Sequence, residues 1–184
     1  MDDATTLALA LTGELERDGI PYAIGGAIAY GVWSQPRGTK DVDLNVFIGP
    51  ERLEEALDVL SRAGLEIDRG RARIQMARDE TVVGHCGGMR VDLFLPTIPF
   101  SWEAMRTRRT VDTPAGPRQF LSAEATAVFK LLFFRGKDRV DLEALVAIQG
   151  ARLDSAYVRA WIVEMMGEED ERVVFWDGLL APSV

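Results

Sequence analysis

Asp41 and Asp43 carry the clearest chemical signal in the sequence, because a single residue separates the two acids in the alternating run DVDLNVFI. Residues two apart on a β-strand point to the same face and lie about 6.6 Å apart. The opposite face of the predicted strand comprises Val42, Leu44, Val46 and Ile48. Two carboxylates backed by such a core are costly unless a cation lies between them. Mg²⁺ suits the position, because one or two carboxylates and substrate phosphates commonly hold it.

A glycine pair, Gly25 and Gly26, lies upstream of the acids, between a strand-like segment at 22–24 and a predicted helix at 27–33. Glycine lets a phosphate approach the backbone closely, and a helix N-terminus offers unpaired N–H groups to an anion. The turn before the acids adds the cationic and hydroxyl donors Arg37, Thr39 and Lys40. These residues are either a phosphate-binding segment or a glycine turn followed by a solvated basic loop.

The third candidate for chemistry is Asp92, in the run MRVDLF. The segments 81–86 and 89–95 flank two glycines at 87–88, which is a signal for a two-residue hairpin. Asp92 then lies in a half-buried strand with an apolar residue on either side, as Asp43 does. An aspartate in this context is either a strand-edge residue or the third ligand of a metal site.

The predicted hairpin has a definite register, which pairs Val83 with Asp92, His85 with Arg90, and Cys86 with Met89. His85 therefore shares a face with Asp92. It is either a base or phosphate contact or an incidental strand histidine, and we interpret it as incidental. Cys86 falls on the opposite face, and we interpret it as a small core residue.

The combination of a glycine pair, roughly a dozen further residues and Asp-hydrophobic-Asp-hydrophobic resembles the nucleotidyltransferase superfamily typified by DNA polymerase β. The segment RGTKDVDL is most similar to sequences of the small bacterial families around the abortive-infection (AbiEii-like) toxins and the antibiotic nucleotidyltransferases. In that superfamily a third acid comes from a later strand, which favours the metal-ligand interpretation of Asp92.

The resemblance also implies a mechanism. Asp41, Asp43 and Asp92 would hold two Mg²⁺ ions, and Gly25 and Gly26 would position the phosphates of a nucleoside triphosphate. The reaction would move a nucleoside monophosphate to a hydroxyl acceptor and release pyrophosphate.

A second stretch of resemblance is the run KLLFFRGKDRVDLEAL, which begins at Lys130. It is similar to the C-terminal helical element of the same bacterial families, in which a lysine is followed by Lys-Asp and a further Asp. The matching residues are Lys130, Lys137, Asp138 and Asp141. The resemblance implies that Lys130 contacts nucleotide phosphates, although a lysine in an apolar helix also reaches solvent by its long stem. We interpret Lys137 and Asp138 as residues that orient the helix junction.

The predicted helices and strands indicate an α/β (α+β) protein, with a mixed sheet flanked by helices and a helical C-terminal part. Arg69, Arg71 and Arg73 alternate and are predicted to line one face of a strand. We expect two domains, a sheet domain over 1–116 and a helical region over 117–184. The predicted helices are 4–18, 27–33, one from Pro50, one from Ser101 through Arg109, one from Ser122, 154–166 and 169–180; the predicted strands are 22–24, 41–48, 65–67, 72–76 and the hairpin.

Composition excludes some classes of function. A net charge of −8 on 184 residues argues against broad nucleic-acid binding, which needs an excess of basic surface, and against an anionic membrane as partner. No apolar run reaches eighteen residues. The single cysteine, Cys86, excludes an internal disulfide and suits a reducing compartment, so we expect a cytoplasmic protein.

The acceptor is left open between RNA, a protein side chain and a small alcohol. A toxin–antitoxin relationship and a cognate partner protein that completes the pocket are also left open. Two other functions compete with nucleotide transfer. One is a catalytically silent nucleotidyltransferase-like module for binding or regulation, and the other is a hydrolase that uses the same metal ions.

Overall fold

The computed structural model of the chain describes residues 3–78 and 81–181. The strands are β1 (Tyr22–Ile24), β2 (Asp41–Val46), β3 (Val82–Cys86), β4 (Met89–Phe94), β5 (Arg109–Val111) and β6 (Arg118–Phe120). The helices are α1 (Ala4–Arg17), α2 (Gly26–Trp33), α3 (Leu53–Arg62), α4 (Arg69–Ala77), α5 (Pro99–Thr107), α6 (Ala123–Phe133), α7 (Gly136–Gln149), α8 (Ser155–Met166) and α9 (Glu171–Leu180). None of these helices has the length and apolar character needed to span a lipid bilayer.

The chain divides into two compact units. One is drawn from Met1–Ile28 and Arg37–Leu121, and the other from Ala29–Pro36 and Ser122–Val184. Helix α2 contributes its first turn to the first unit and the rest to the second. The domain boundary between 116 and 117 stays a prediction, and the outermost ends of the two predicted domains, 1–2 and 182–184, lie outside the described residues.

The first unit is built on a six-stranded sheet with the order β3-β4-β2-β1-β6-β5. Strand β2 is antiparallel to β1 and parallel to β4, so the sheet is mixed. The predicted α/β class with a mixed sheet flanked by helices is confirmed. The hairpin of β3 and β4 has the predicted register, with Val83 opposite Asp92 and His85 opposite Arg90. A period-two pattern on both sides of a glycine pair was sufficient to fix that register.

The core of the first unit lies on the apolar face of β2, where Val42, Leu44 and Val46 are fully buried. Helix α1 packs against β1, β2 and β6 through a stripe that includes Leu11 and Leu15. Because this face is fully buried by apolar side chains, the alternating acids of β2 are directed to the other face of the sheet.

Two predicted strands are wrong. Residues 72–76 belong to helix α4, because Asp68 caps its N-terminus by accepting a hydrogen bond from the Arg71 backbone N–H. Arg69 and Arg73 lie one helical turn apart and both bind Glu54, instead of lining a strand face. Residues 65–67 form no strand and contribute only an isolated bridge between Glu66 and His85.

The short strands β5 and β6 have no counterpart in the sequence prediction. The helix predicted from Ser101 through Arg109 is too long, since α5 ends at Thr107 and Arg109 begins β5. Each of the two strands has only three residues, too few for a period-two pattern to be recognised. The turn between them is held by a 2.6 Å hydrogen bond from the Thr113 hydroxyl to the Gly116 carbonyl.

The second unit is helical. Helix α6 packs against α7 and α8, and α9 packs against α7 and α8. Its core combines a set of buried charges on α6 and α7 with apolar side chains, and the fully buried apolar members include Leu131, Leu142, Leu145, Ile162 and Trp176.

Candidate active site

The three predicted carboxylates lie on one face of the sheet. Asp43 of β2 and Asp92 of β4 are direct register partners on neighbouring parallel strands, which are about 4.8 Å apart in sheets. Asp41 lies two residues before Asp43 and therefore on the same face. All three are half-buried, while their apolar neighbours Val42 and Val91 are fully buried on the opposite side. We call Asp41, Asp43 and Asp92 the acidic face.

Arg90 is a neighbour of the acidic face that the sequence analysis did not select. It is the register partner of Asp41, and its Nε donates a 2.8 Å hydrogen bond to Oδ1 of Asp92. The signal was present in the sequence, because the spacing Arg-Val-Asp puts Arg90 and Asp92 on the same side of one strand. The acidic face thus has its own cation.

The donor chemistry of the acidic face fits Mg²⁺. The facing carboxylates of Asp43 and Asp92 are hard oxygen ligands, and an ion held by one or two carboxylates completes its shell with water and substrate phosphates. Among residues 3–78 and 81–181, no three His, Cys, Asp or Glu side chains are already arranged to hold a metal ion.

The glycine pair brings the start of α2 against β2. Gly26 has φ +54°, and a Cβ there would lie 1.7 Å from Oδ2 of Asp43. The Gly25 backbone N–H donates a 2.9 Å hydrogen bond to the Asp43 carbonyl, and a Cβ on Gly25 would lie 2.6 Å from Nδ2 of Asn45. The Asp43 carboxylate consequently lies beside the first residue of α2, at the partially positive end of that helix.

Replacing Gly26 with alanine is expected to lower the free energy of unfolding by about 2 kcal/mol or more. A left-handed backbone costs an alanine about 1–2 kcal/mol, and the new methyl group would also displace the Asp43 carboxylate. Chemical denaturation measures the loss. Gly38→Ala is the control, because Gly38 has no positive φ and a Cβ there would meet nothing within 4 Å. Equal stabilities of the two variants would contradict this explanation of Gly26.

The basic turn before β2 has a structural part and an exposed part. The Thr39 hydroxyl donates to the Asp41 carbonyl at 3.2 Å and accepts from the Asp41 backbone N–H at 3.3 Å, so it fixes the entry of the chain into β2. Arg37 and Lys40 are exposed. These two cations are therefore accessible to an anionic ligand of the first unit.

Lys130 belongs to the second unit and is buried there. Its Nζ lies 2.5 Å from Oδ2 of Asp141, 3.7 Å from Oδ1 of Asp138 and 4.9 Å from the centre of the Tyr30 ring. A phosphate would have to compete with these carboxylates for the ammonium group. Contact of Lys130 with nucleotide phosphates stays a prediction, and the geometry gives the residue a structural function.

Asp138 and Lys137 differ in their surroundings. Asp138 accepts hydrogen bonds from the backbone N–H and Nε of Arg135 in a capping box at the start of α7, whereas Lys137 is exposed. A cap of this kind fixes where the helix begins, which agrees with the predicted orienting role of Asp138.

His85 and Cys86 take no part in the acidic face itself. His85 is an exposed residue opposite Arg90. The Cys86 thiol is half-buried and donates a 3.7 Å hydrogen bond to the Ala63 carbonyl. Burial raises the pKa of this thiol, so Cys86 is poorly suited to act as a nucleophile.

Comparison with known proteins identifies the fold through solved structures. Neither a protein-family model nor a curated protein sequence matches the chain. The solution structure of the antibiotic-resistance factor ANT(2'')-Ia, an aminoglycoside nucleotidyltransferase, matches with a TM-score of 0.60 and 16% identity, over 89% of this chain and 94% of that chain. The crystal structure of ANT(2'')-Ia in complex with adenylyl-2''-tobramycin gives 0.60 and 17% identity, over 88% of this chain and 98% of that chain.

A third solved structure, an antigenic nucleotidyltransferase-like protein from Paracoccidioides brasiliensis, has a TM-score of 0.48 and 16% identity, over 94% of this chain and 93% of that chain. At such identities similarity concerns the fold, and a relationship to the AbiEii-like families in particular stays a prediction. The similarity to the two ANT(2'')-Ia structures is consistent with the mixed sheet and with the acidic face. The chain therefore has the nucleotidyltransferase fold.

Proposed function

We propose that the protein is a Mg²⁺-dependent nucleotidyltransferase that moves a nucleoside monophosphate from a nucleoside triphosphate to a hydroxyl acceptor. The observation that carries the proposal is the pairing of Asp43 with Asp92 on neighbouring strands, on the same face as Asp41 and beside the first residue of α2. A carboxylate pair at this place in a nucleotidyltransferase fold suits phosphoryl chemistry that a divalent ion assists.

The acidic face would hold the metal ions. Asp41 and Asp43 would bind the ion that the triphosphate shares, and Asp43 and Asp92 would bind the ion near the acceptor. When bound, Mg²⁺ neutralises charge on the entering and leaving oxygens of an in-line displacement. The acceptor oxygen would bond to the α-phosphorus, the bond from that phosphorus to the pyrophosphate oxygen would break, and the proton of the acceptor hydroxyl would pass to water.

Four further predicted residues would bind the triphosphate, and a fifth would support them. Gly25 and Gly26 would let its phosphates approach the start of α2, where backbone N–H groups are available to an anion. Arg37 and Lys40 are exposed cations that would offset the charge of the leaving pyrophosphate. Thr39 would act by fixing the entry into β2.

We propose a small alcohol as the acceptor. The ANT(2'')-Ia structure that holds adenylyl-2''-tobramycin covers 88% of this chain, and that product is a nucleotidylated small molecule. The net charge of −8 disfavours a long polyanion such as RNA. A protein acceptor, a cognate partner protein, a toxin–antitoxin relationship and a cytoplasmic location stay predictions from the sequence.

One observation favours the rival function, a catalytically silent binding module. Asp92 is already paired with Arg90, whose Nε donates a hydrogen bond to its carboxylate. A silent protein would bind nucleotide without transferring it.

Incubation with each α-labelled nucleoside triphosphate, Mg²⁺ and a fractionated cell lysate tests the proposal. We expect the label to appear in a small metabolite, and only when Mg²⁺ is present. Label in RNA or protein would contradict the proposal of a small alcohol as the acceptor but would still support nucleotide transfer. Nucleotide binding without transfer would support the silent module, and free nucleoside monophosphate as the only product would support the hydrolase.

A further inference from the structure

Arg90 is the cation that the strands β2 and β4 themselves supply to the acidic face. Its Nε donates to Asp92 Oδ1 at 2.8 Å, and its register partners are Asp41 on β2 and His85 on β3. The Arg90 side chain is 49% exposed, whereas that of Asp92 is only 15% exposed. The guanidinium group therefore holds a carboxylate that has little contact with water.

This arrangement compensates for charge repulsion within the sheet. Asp43 and Asp92 are direct partners, and like charges in that relation destabilise a strand pair. Asp41 adds a third negative charge on the same face. Arg90 offsets part of this charge, and a divalent cation at the same carboxylates would do the same. The two cations repel each other, so they cannot both bind Asp92 at full strength.

We propose that Arg90 is a positioning residue that acts through Asp92 and competes with the divalent metal ion for it. Arg90 keeps the acidic face folded in the metal-free protein and lowers the affinity for a metal ion that arrives alone. A nucleoside triphosphate removes this competition, because its phosphates accept hydrogen bonds from the displaced guanidinium group. Metal binding thereby becomes dependent on nucleotide. This inference rests on the proposed function of the same site.

The test is a calorimetric titration of the protein with Mn²⁺ in the absence of nucleotide. We expect Arg90→Gln to bind Mn²⁺ about two- to fivefold more tightly than the wild-type protein, the range that corresponds to losing one partly exposed ion pair. Arg90→Lys keeps the positive charge and should restore an affinity close to that of the wild type. A purely structural arginine would predict no gain in affinity in either variant.

Arg52→Gln is the matched control. Arg52 also donates its Nε to a carboxylate, that of Glu55, at 2.8 Å, and its side chain is 41% exposed. It carries the same charge but belongs to the turn before α3, so its loss should leave the Mn²⁺ affinity unchanged. Thermal melting of each variant before titration verifies that it is folded.

The outcomes separate the two proposals. Mn²⁺ binding by the wild type that Arg90→Gln leaves equal or weakens would overturn the role of Arg90 and leave the proposed function intact. Tighter binding by Arg52→Gln to the same extent as by Arg90→Gln would also overturn it, because only net charge would then matter. Absence of Mn²⁺ binding in all the proteins, with and without a nucleoside triphosphate, would overturn the proposed function as well.

Discussion

Replacing Asp43 with asparagine is expected to lower the turnover number for nucleotide transfer at least about a hundredfold, the usual cost of losing one preorganised electrostatic contact to the reacting phosphate. Asp43 is central to the acidic face, since Asp92 is its register partner and Asp41 lies two residues away on the same strand. Asparagine keeps the shape of the side chain next to Gly26 but loses the charge that a metal ion requires.

The same substitution should not weaken the fold. It removes one of two like charges that face each other across β2 and β4, so we expect the melting temperature without metal to stay unchanged or rise by up to about 4 °C. Added Mg²⁺ and nucleotide should raise the melting temperature of the wild type more than that of the variant.

Steady-state kinetics and thermal melting of Asp43→Asn measure both effects, with Asp112→Asn as the control. Asp112 is an exposed aspartate that follows β5, so its loss removes one negative charge outside the acidic face. Turnover by Asp43→Asn within threefold of the wild type would remove Asp43 from the catalytic proposal. A fall of both turnover and melting temperature would instead assign Asp43 a role in folding.

The strand face on which each of the three carboxylates lies could be predicted from the sequence because strand alternation is a local rule. One residue between Asp41 and Asp43 fixes their common face, and a glycine pair fixed the register of the hairpin that carries Asp92. That the strands of this hairpin and β2 are neighbours is not a local property. It came from resemblance to a fold in which the acids are known to meet.

Other features of the fold and the site depend on contacts between distant residues. Gly26 must be glycine because the Asp43 carboxylate fills the space of a Cβ, which no spacing rule reveals. Residues 72–76 were predicted as a strand because their pattern has a period of two. They belong to helix α4, which the Asp68 cap and the pairing of two arginines with Glu54 of α3 stabilise. The local pattern does not show the contacts with α3.

The surroundings of Lys130 also could not be predicted from local sequence. Its sequence context predicts a phosphate contact, whereas in the structure it belongs to a buried ion pair. Its side chain and those of Asp138 and Asp141 are 7%, 2% and 6% exposed. Arg135, which is exposed, binds Asp138 from the other side at 2.7 Å. This group therefore joins two cations, Lys130 and Arg135, to two carboxylates, Asp138 and Asp141.

Replacing Lys130 with methionine is expected to lower the free energy of unfolding by about 3–5 kcal/mol, the usual cost of breaking a buried ion pair by removing one of its members. Methionine fills a similar volume but leaves Asp141 and Asp138 as neighbouring buried carboxylates. Asp141→Asn should cost less, because Lys130 then keeps Asp138 at 3.7 Å and the asparagine can still accept a hydrogen bond. Chemical denaturation at neutral pH measures both.

The double variant Lys130→Met, Asp141→Leu tests whether the broken ion pair causes this loss of stability. It removes both charges of the closest pair, while Asp138 keeps Arg135. We expect it to recover most of the stability that Lys130→Met loses, since apolar replacement of a whole buried pair is often neutral. Glu168→Gln, which breaks an exposed pair with Arg159, should cost less than about 1 kcal/mol. If Lys130→Met were as stable as the wild type and had lost only its affinity for nucleotide, the lysine would be a phosphate ligand, and the charge pair would not be what holds α6 to α7.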